Sequence, residues 1–521
     1  MTIRTEPVCK LAEYCRDIVQ KILDGEITDK DQLQNYKIKV SKKYNLPGVP
    51  RNSEILAEVT DEERPLVEAI LIRKPVRTLS GVVAVAVMTS PAPCPHGKCI
   101  YCPGGVENNS PQSYTGKEPA ARRGEYYNFD PFDQVIGRME QLEVIGHSTE
   151  KIDLIIMGGT FTSRPQEYQD WFIKRCFDAM NGFDSDTLVE AQNSNETAPH
   201  RCIGLTIETR PDVMNYSNIE NAMALGMTRV EMGIQILDDG ILRAVNRGHG
   251  LQEVVDATLA AKRSGLKVCY HVMPGLPGSS PEKDIECFRR IFEDPDFRPD
   301  MLKIYPTLVV KGTKLYDMWI NGEYAPYSTE EAVKVIAKMK EYVPPWVRIQ
   351  RIQRDIPVPL IEAGVMKGHL RELVKAEMKK NGTSCRCIRC HEVGHVGATE
   401  DQYGDLELTT TSYEASGGME HFIALRIPET DALAGYVRLR TGDGDIASIR
   451  ELKVFGKLAP IGSSGKWQHR GAGKELMHTA EEKALLEGCS LTRVTSGVGV
   501  RKYYESLGYE RREMYMVKLL R

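Results

Sequence analysis

From residue 82 the chain alternates short apolar runs with helix-length segments, and this rhythm restricts the possible folds more than any other feature of the sequence. Apolar runs recur at 82–88, 152–157, 203–207, 229–236, 266–273 and 301–309, and segments such as 130–146 and 251–264 separate them. Repeated strand–helix units predict a parallel sheet. Six of them predict an α/β fold that closes partly into a (β/α)6 barrel. Ligands of such sheets bind at the C-terminal strand ends. Here those ends read Met157-Gly-Gly-Thr160, Glu208-Thr-Arg-Pro-Asp212, Glu231-Met-Gly-Ile-Gln235 and His271-Val-Met-Pro-Gly-Leu-Pro-Gly278. One polar or glycine-rich end is an ordinary turn, but several on one rim predict a site.

The first run opens into Cys94-Pro-His-Gly-Lys-Cys-Ile-Tyr-Cys-Pro-Gly-Gly105, where Cys94, Cys99 and Cys102 fall within nine residues. Three closely spaced thiolates suit a [4Fe-4S] cluster in which one iron lacks a protein ligand. That iron is open to a chelating small molecule. S-adenosylmethionine chelates through its amino and carboxylate groups, and an electron from the cluster then cleaves its sulfonium. Gly158 and Gly159 would let backbone approach the methionine amino group. Glu208 and Gln235 are suited to ribose or carboxylate contacts.

Size and composition set the frame for these motifs. A chain of 521 residues predicts two or three domains. The net charge of −4 gives no whole-molecule attraction for nucleic acid, so any such contact must be local. No apolar run approaches the roughly 18 residues of a membrane span, and the N-terminus lacks a signal peptide's apolar core. The expectation is a cytoplasmic protein without membrane contact. Its thirteen cysteines then read as metal ligands and buried thiols, because cytosolic disulfides are rare.

Four regions follow from these patterns. Residues 1–80 are helical and polar, and Lys37, Lys39, Lys42, Lys43 and Arg51 with Tyr44 read either as a solvated face or as a phosphate-contacting patch with a stacking aromatic. Residues 81–343 form the barrel. Residues 344–404 are a linker in which Cys385, Cys387 and Cys390 predict a bound metal, with zinc favoured. His369, His391 and His395 compete as its fourth ligand. Residues 405–521 form a separate α+β domain. Its loop Gln468-His-Arg-Gly-Ala-Gly-Lys474 precedes a helix at 473–486, an arrangement that cradles a pyrophosphate. The loop positions concerned are Gln468, Arg470, Gly471, Ala472, Gly473 and Lys474. The strand carrying Glu451, Leu452, Lys453 and Val454 would hold a pantetheine arm by backbone pairing. Tyr504 is a candidate acid beside the sulfur, weighed against a packed core aromatic.

These motifs, with Gln112-Ser-Tyr-Thr-Gly116, Met157-Gly-Gly-Thr-Phe161 and Ser496-Gly-Val-Gly-Val-Arg-Lys-Tyr-Tyr504, resemble the catalytic subunit of Elongator, in its archaeal or bacterial single-chain form, over nearly the whole chain. The resemblance implies a radical-SAM barrel joined to a GNAT-type acetyltransferase domain. It implies Cys94, Cys99 and Cys102 as cluster ligands, at C-x4-C-x2-C rather than the commoner C-x3-C-x2-C. It also implies acetyl-CoA contacts at Lys151, 451–454, 472–474 and Tyr504, with Lys151 and Tyr504 as catalytic positions and both sites in one cavity. The implied activity is carboxymethylation of carbon 5 of the tRNA wobble uridine. A 5′-deoxyadenosyl radical takes hydrogen from the acetyl methyl, the carbon radical adds to uridine, and the thioester is hydrolysed. The implied partners are the tRNA anticodon stem-loop, an electron donor and, as an allowed assembly, a homodimer. Two other readings stand beside it: a protein lysine acetyltransferase with a structural cluster, and a non-catalytic RNA-binding scaffold.

Overall fold

The computed structural model describes residues 6–60, 62–72, 80–398, 400–456 and 471–520. Strands β1 (Val83–Met88), β2 (Lys151–Met157), β3 (Arg201–Thr209), β4 (Arg229–Gln235), β5 (Lys267–Val272) and β6 (Met301–Ile304) pair in parallel in chain order. A seventh strand, β8 (Arg348–Arg351), adds to β6. The sheet keeps β1 and β8 as edges, so the barrel is partial. A short antiparallel pair, β7 (Val309–Val310) with β9 (Ile361–Ala363), lies apart from it. The run at 301–309 therefore splits into two strands. Pro306 cannot donate a ladder hydrogen bond and restricts the residue before it.

Helices cross between the strands, and their starts are written locally. Asp130 accepts from the backbone N–H of Asp133 ahead of Pro131–Val144, and Ser280 accepts from that of Lys283 ahead of Pro281–Glu293. One face of every barrel strand meets these helices in a single core. Val85, Leu154, Leu205, Met232, Tyr270 and Leu302 are fully buried there with Phe172, Phe177 and Ile336. The alternate positions turn the other way, into the barrel's interior.

The C-terminal sheet runs β10 (Glu407–Ala415), β11 (Gly418–Ile427), β12 (Ala432–Thr441), β13 (Ile446–Val454), β14 (Leu491–Val494), β16 (Tyr515–Leu519) and β15 (Glu510–Arg512). Its neighbours are antiparallel except β13 and β14, which are parallel. These two pair only from Ile446/Leu491 to Ile449/Val494, and from Arg450 onward β13 runs with β12 while β14 leaves. The helix Ala472–Leu486 packs against this sheet.

A buried ionic cluster fixes the two sheets together. Arg450 bonds both carboxylate oxygens of Asp300, at 2.8 and 2.6 Å, and Glu420 at 2.7 Å. Lys262 of the barrel lies 3.6 Å from Glu420, and Trp346 stacks on Tyr413 with ring centroids 4.1 Å apart. Breaking one partner of such a buried set leaves an uncompensated charge. The N-terminal helices Glu6–Leu23, Lys30–Lys43, Asn52–Ala57 and Arg64–Leu71 have a core of their own, with Tyr14, Ile18 and Val67 fully buried. Lys37 is buried and donates to Asn52, and Lys43 pairs with Asp17, which leaves Lys39, Lys42 and Arg51 on the surface. Among the described residues no helix is long and apolar enough to cross a membrane.

Candidate active site along the barrel axis

The cysteine loop lies across the C-terminal mouth of the barrel, held by the loops around it. Cys94 Sγ is 3.3 Å from Thr160 Oγ1, directly after the glycines that end β2. Cys99 Sγ is 3.3 Å from His96 Nε2 and 3.6 Å from Arg247 Nη1. Cys102 Sγ accepts the backbone N–H of Ser113 at 3.1 Å. Arg247 is itself buried and fixed by two bonds to the Gly233 carbonyl at the end of β4. The three sulfurs thus have donors from three separate loops. Burial, then Arg210 and Arg247, pushes His96 down to about 4, so its ring is neutral at pH 7.

Two glycines here are required by space. A Cβ on Gly104 would lie 2.3 Å from the carbonyl oxygens of both Pro111 and Tyr114. One on Gly158, at φ +140°, would lie 1.9 Å from Thr89 Oγ1. The expected backbone approach at Gly158 and Gly159 is therefore joined by tight packing on Thr89 and Gln112. Gln235, at φ +69°, has a buried Oε1 with no partner among the described residues. A buried unpaired acceptor at a strand end of positive φ is a feature that a ligand's donor could satisfy. Three thiols and this acceptor on one rim fit a three-thiolate cluster with a small polar ligand on its open iron.

Below the rim the interior is charged, where a barrel of this kind is ordinarily filled by branched apolar side chains. Tyr114 donates to Glu208 at 2.5 Å, and Lys303 donates to Glu208 at 3.2 Å and pairs with Glu231. Glu231 accepts from His271 Nε2 at 2.9 Å. Deeper in, Arg229 lies 3.5 Å from Glu231 and 3.1 Å from Asp153. Burial opposes ionisation of Glu231, yet Lys303 and His271 hold its carboxyl well below the usual carboxylate range. Glu208, expected as a ligand contact, is already engaged by Tyr114 and Lys303.

The opposite mouth meets the C-terminal domain. Glu451 and Lys453 of β13 face it, while Leu452 and Val454 pack on that domain's core. Burial pushes Lys267, at the start of β5, down to about 8, against the opposing pull of Glu451. Lys453 is likewise lowered to about 8, by burial and then by Arg348, with Glu451 and then Asp153 opposing. Lys151 opens β2 on the same face as Asp153, and burial lowers its pKa. Six strand steps separate it from Met157, about 20 Å. Lys151 and the cysteine loop thus sit at opposite ends of the barrel, with the charged interior between them.

In the C-terminal domain Gly471, at φ +102°, caps the helix that Ala472, Gly473 and Lys474 begin. A Cβ on Gly473 would press on the Tyr503 hydroxyl at 2.9 Å. Tyr504 is buried against Tyr503 and Tyr509, and burial, then Tyr503 and Glu451, pushes its hydroxyl up. The expected loop residues Gln468 and Arg470 lie outside the described residues.

The linker triad is arranged differently. The sulfurs of Cys385, Cys387 and Cys390 lie within 4.8 Å of one another, with Cys387 and Cys390 at 3.6 Å. Hydrogen bonds from Cys385 and Cys390 hold the Cys387 thiol well below its ordinary value. This group of three thiols can bind a metal. No histidine nitrogen joins it among the described residues. His391 is bonded to the Cys387 carbonyl, and His395 faces Glu392.

Sequence reasoning placed Glu231 and His271 only among the polar strand ends, without a role, and left out Asp153, Arg229, Arg247 and Lys303. The signal was present: Arg229 and Glu231 alternate with Val230 and Met232 in one strand, and Lys303 interrupts another. An ion at every second position of an apolar run marks an inward face with work to do.

Four family models cover the chain: the ELP3 N-terminal domain at residues 11–79, the Radical SAM superfamily at 91–291, the Radical_SAM C-terminal domain at 299–380 and the Acetyltransferase (GNAT) family at 391–509. A partial parallel barrel with three thiols at its mouth, fused to a sheet that splays beside a glycine-capped helix, is therefore a radical-SAM protein with a GNAT acetyltransferase domain. The chain is 50% identical to the tRNA uridine(34) acetyltransferase of Methanocaldococcus jannaschii, over 98% of each chain. It is 42% identical to Elongator complex protein 3 of Homo sapiens, over 97% of this chain and 96% of that one. The solved archaeal Methanocaldococcus infernus Elp3 with an N-terminal deletion shares 47% identity and a TM-score of 0.75, covering 85% of this chain and all of that one. The chain belongs to the Elongator protein 3 family.

Proposed function

We propose that this chain is a tRNA-modifying enzyme that builds 5-carboxymethyluridine at the wobble position from acetyl-CoA. The observation that carries this reading is the charged interior linking the thiol-bearing mouth to the mouth that meets the acetyltransferase domain. A structural cluster beside an independent acetyltransferase would have no use for buried ions from Asp153 to Glu208 along the axis between them.

In this reading Cys94, Cys99 and Cys102 hold a [4Fe-4S] cluster, and Gly158, Gly159 and Gln235 border S-adenosylmethionine. When bound, the two supply a radical able to take hydrogen from an unactivated methyl. The chain's own residues bind, orient and exclude water. Arg247 donates toward Cys99, and neutral His96, whose Nε2 accepts from Arg210, adds no charge there. The helix start at Ala472, Gly473 and Lys474, with Gln468, Arg470 and Gly471, takes the pyrophosphate of acetyl-CoA. Glu451, Leu452, Lys453 and Val454 line up its arm where β13 and β14 part. Lys151 lies where that arm would enter the barrel, and Tyr504 would border the arm within the acetyltransferase domain as a neutral hydroxyl. The wobble base reaches the cysteine mouth as an unstacked nucleotide.

Further parts of the proposal are zinc at Cys385, Cys387 and Cys390, a tRNA contact by residues 1–80 through Lys39, Lys42 and Arg51, an external electron donor, and a cytoplasmic protein able to form a homodimer. The test is label transfer from acetyl-CoA. Transfer to tRNA that requires S-adenosylmethionine and reductant supports the reading. Transfer to protein lysines without either refutes it.

A further inference from the structure

The reaction proposed above ends in hydrolysis of a thioester, and that step needs a base to take a proton from water and return it to the departing thiolate. We propose that His271, oriented by Glu231, is this base; the inference rests on the proposed reaction.

Glu231 is fully buried and paired with Lys303, so it stays ionised and can only accept hydrogen bonds. Its bond to His271 therefore fixes the imidazole hydrogen on Nε2, 2.9 Å away. The lone pair is then on Nδ1, which has no hydrogen-bond partner among the described residues. The His271 side chain is 15% accessible whereas that of Glu231 is 0% accessible, so the ring reaches the barrel's open space while its anchor does not. A carboxylate that fixes the tautomer and supports the imidazolium is the arrangement a water-activating histidine requires.

Position favours the same residue. The thioester carbonyl is one bond from the carbon that joins uridine, so the hydrolytic base must stand near the cysteine mouth. His271 is the penultimate residue of β5, in register with Gly233 and Lys303. The neighbouring thiol of Cys269 is pushed well up by burial and then by Glu231, which leaves it protonated and no nucleophile. Glu231, Cys269 and His271 would also suit a metal by spacing, but the Lys303 ammonium on Glu231 already occupies the cation's place.

The step balances without a further reagent. Water adds to the thioester carbonyl as His271 Nδ1 takes its proton. The adduct then breaks its C–S bond, and the imidazolium gives the proton to the sulfur. The products are a carboxylic acid on uridine and free coenzyme A.

The test uses reconstituted full-length enzyme with tRNA, S-adenosylmethionine, reductant and acetyl-CoA, and follows 5′-deoxyadenosine and uridine products together. His271→Gln is expected to keep 5′-deoxyadenosine formation within about 3-fold of wild type, lower carboxymethyluridine about 10²-fold or more, and leave tRNA carrying a coenzyme A thioester visible by mass. Glu231→Gln, which frees the tautomer, is expected to accumulate the same adduct to a smaller extent. Wild-type carboxymethyluridine from His271→Gln overturns the assignment. So does equal loss of both products in a variant with the wild-type circular dichroism spectrum, which would mean His271 serves the radical step. A wild-type enzyme that labels protein and no uridine overturns the parent reading itself.

Discussion

The two cysteine triads of this chain differ in what holds their sulfurs. Cys94, Cys99 and Cys102 each face a donor from a different element, Thr160, Arg247 and Ser113. Cys385, Cys387 and Cys390 face one another within 4.8 Å. A multi-iron cluster needs spread sulfurs and a surrounding shell that tunes it. A single tetrahedral ion needs sulfurs already converged. Sequence spacing alone does not separate these cases, since both triads place three cysteines within nine residues. The surrounding loops do separate them: the first triad sits at a mouth fed by the strand ends, the second on a turn pinned by the Ile388 N–H to Val347.

Exchanging effects between the triads would break this comparison. Cys99→Ser is expected to abolish uridine modification, by more than about 10²-fold, with loss of cluster iron and unchanged tRNA binding by gel shift. Arg247→Gln sharpens the contrast, because it keeps every cysteine ligand while removing the guanidinium that donates to Cys99 and to the Gly233 carbonyl. It should lower the rate of S-adenosylmethionine cleavage about 10-fold and shift the cluster's redox midpoint in an electron-paramagnetic-resonance titration. Cys387→Ser should leave iron content and cleavage within about 2-fold while lowering the melting temperature by roughly 5 °C. Iron loss from Cys387→Ser would contradict the division.

The smallest effect concerns the mouth opposite the first triad. Lys453 has its pKa lowered from 10.5 to about 8, by burial and then by Arg348. Between those values the unfolded chain binds more protons, so stability rises with pH there, and the cost of burying the charge is full only below about pH 8. Lys453→Met should raise the melting temperature by roughly 2 °C at pH 7 and by less at pH 9.5. An equal gain at both pH values would place the lysine in solvent.

Much of the fold was legible because the barrel strands carry their apolar face in plain alternation. The run at 152–157 became β2 almost residue for residue, and the glycine loop before 473 does cap a helix at Ala472. What stayed hidden was relational. Lys151 was expected to bring two sites into one cavity; it opens the strand whose far end carries Gly158, so any shared cavity has to run the length of the barrel. Lys37 counted toward a basic surface, but its ammonium is buried on Asn52. The strand β10, whose residues alternate Thr, Ser and Glu with few apolar positions, gave no core signal because it is an edge strand with one solvated face. The ionic interior was visible as single charges in Arg229, Glu231 and Lys303, but their mutual pairing depends on which strands lie side by side.

The proposed reaction requires the acetyl methyl to meet the radical chemistry of the barrel. Acetyl-CoA with a fully deuterated methyl tests it most directly, incubated with the holoenzyme, tRNA, S-adenosylmethionine and reductant. Deuterium is expected in the recovered 5′-deoxyadenosine, with two remaining deuteriums on the carbon joined to uridine before any exchange. Unlabelled 5′-deoxyadenosine together with a fully deuterated acetyl group on its acceptor would contradict it.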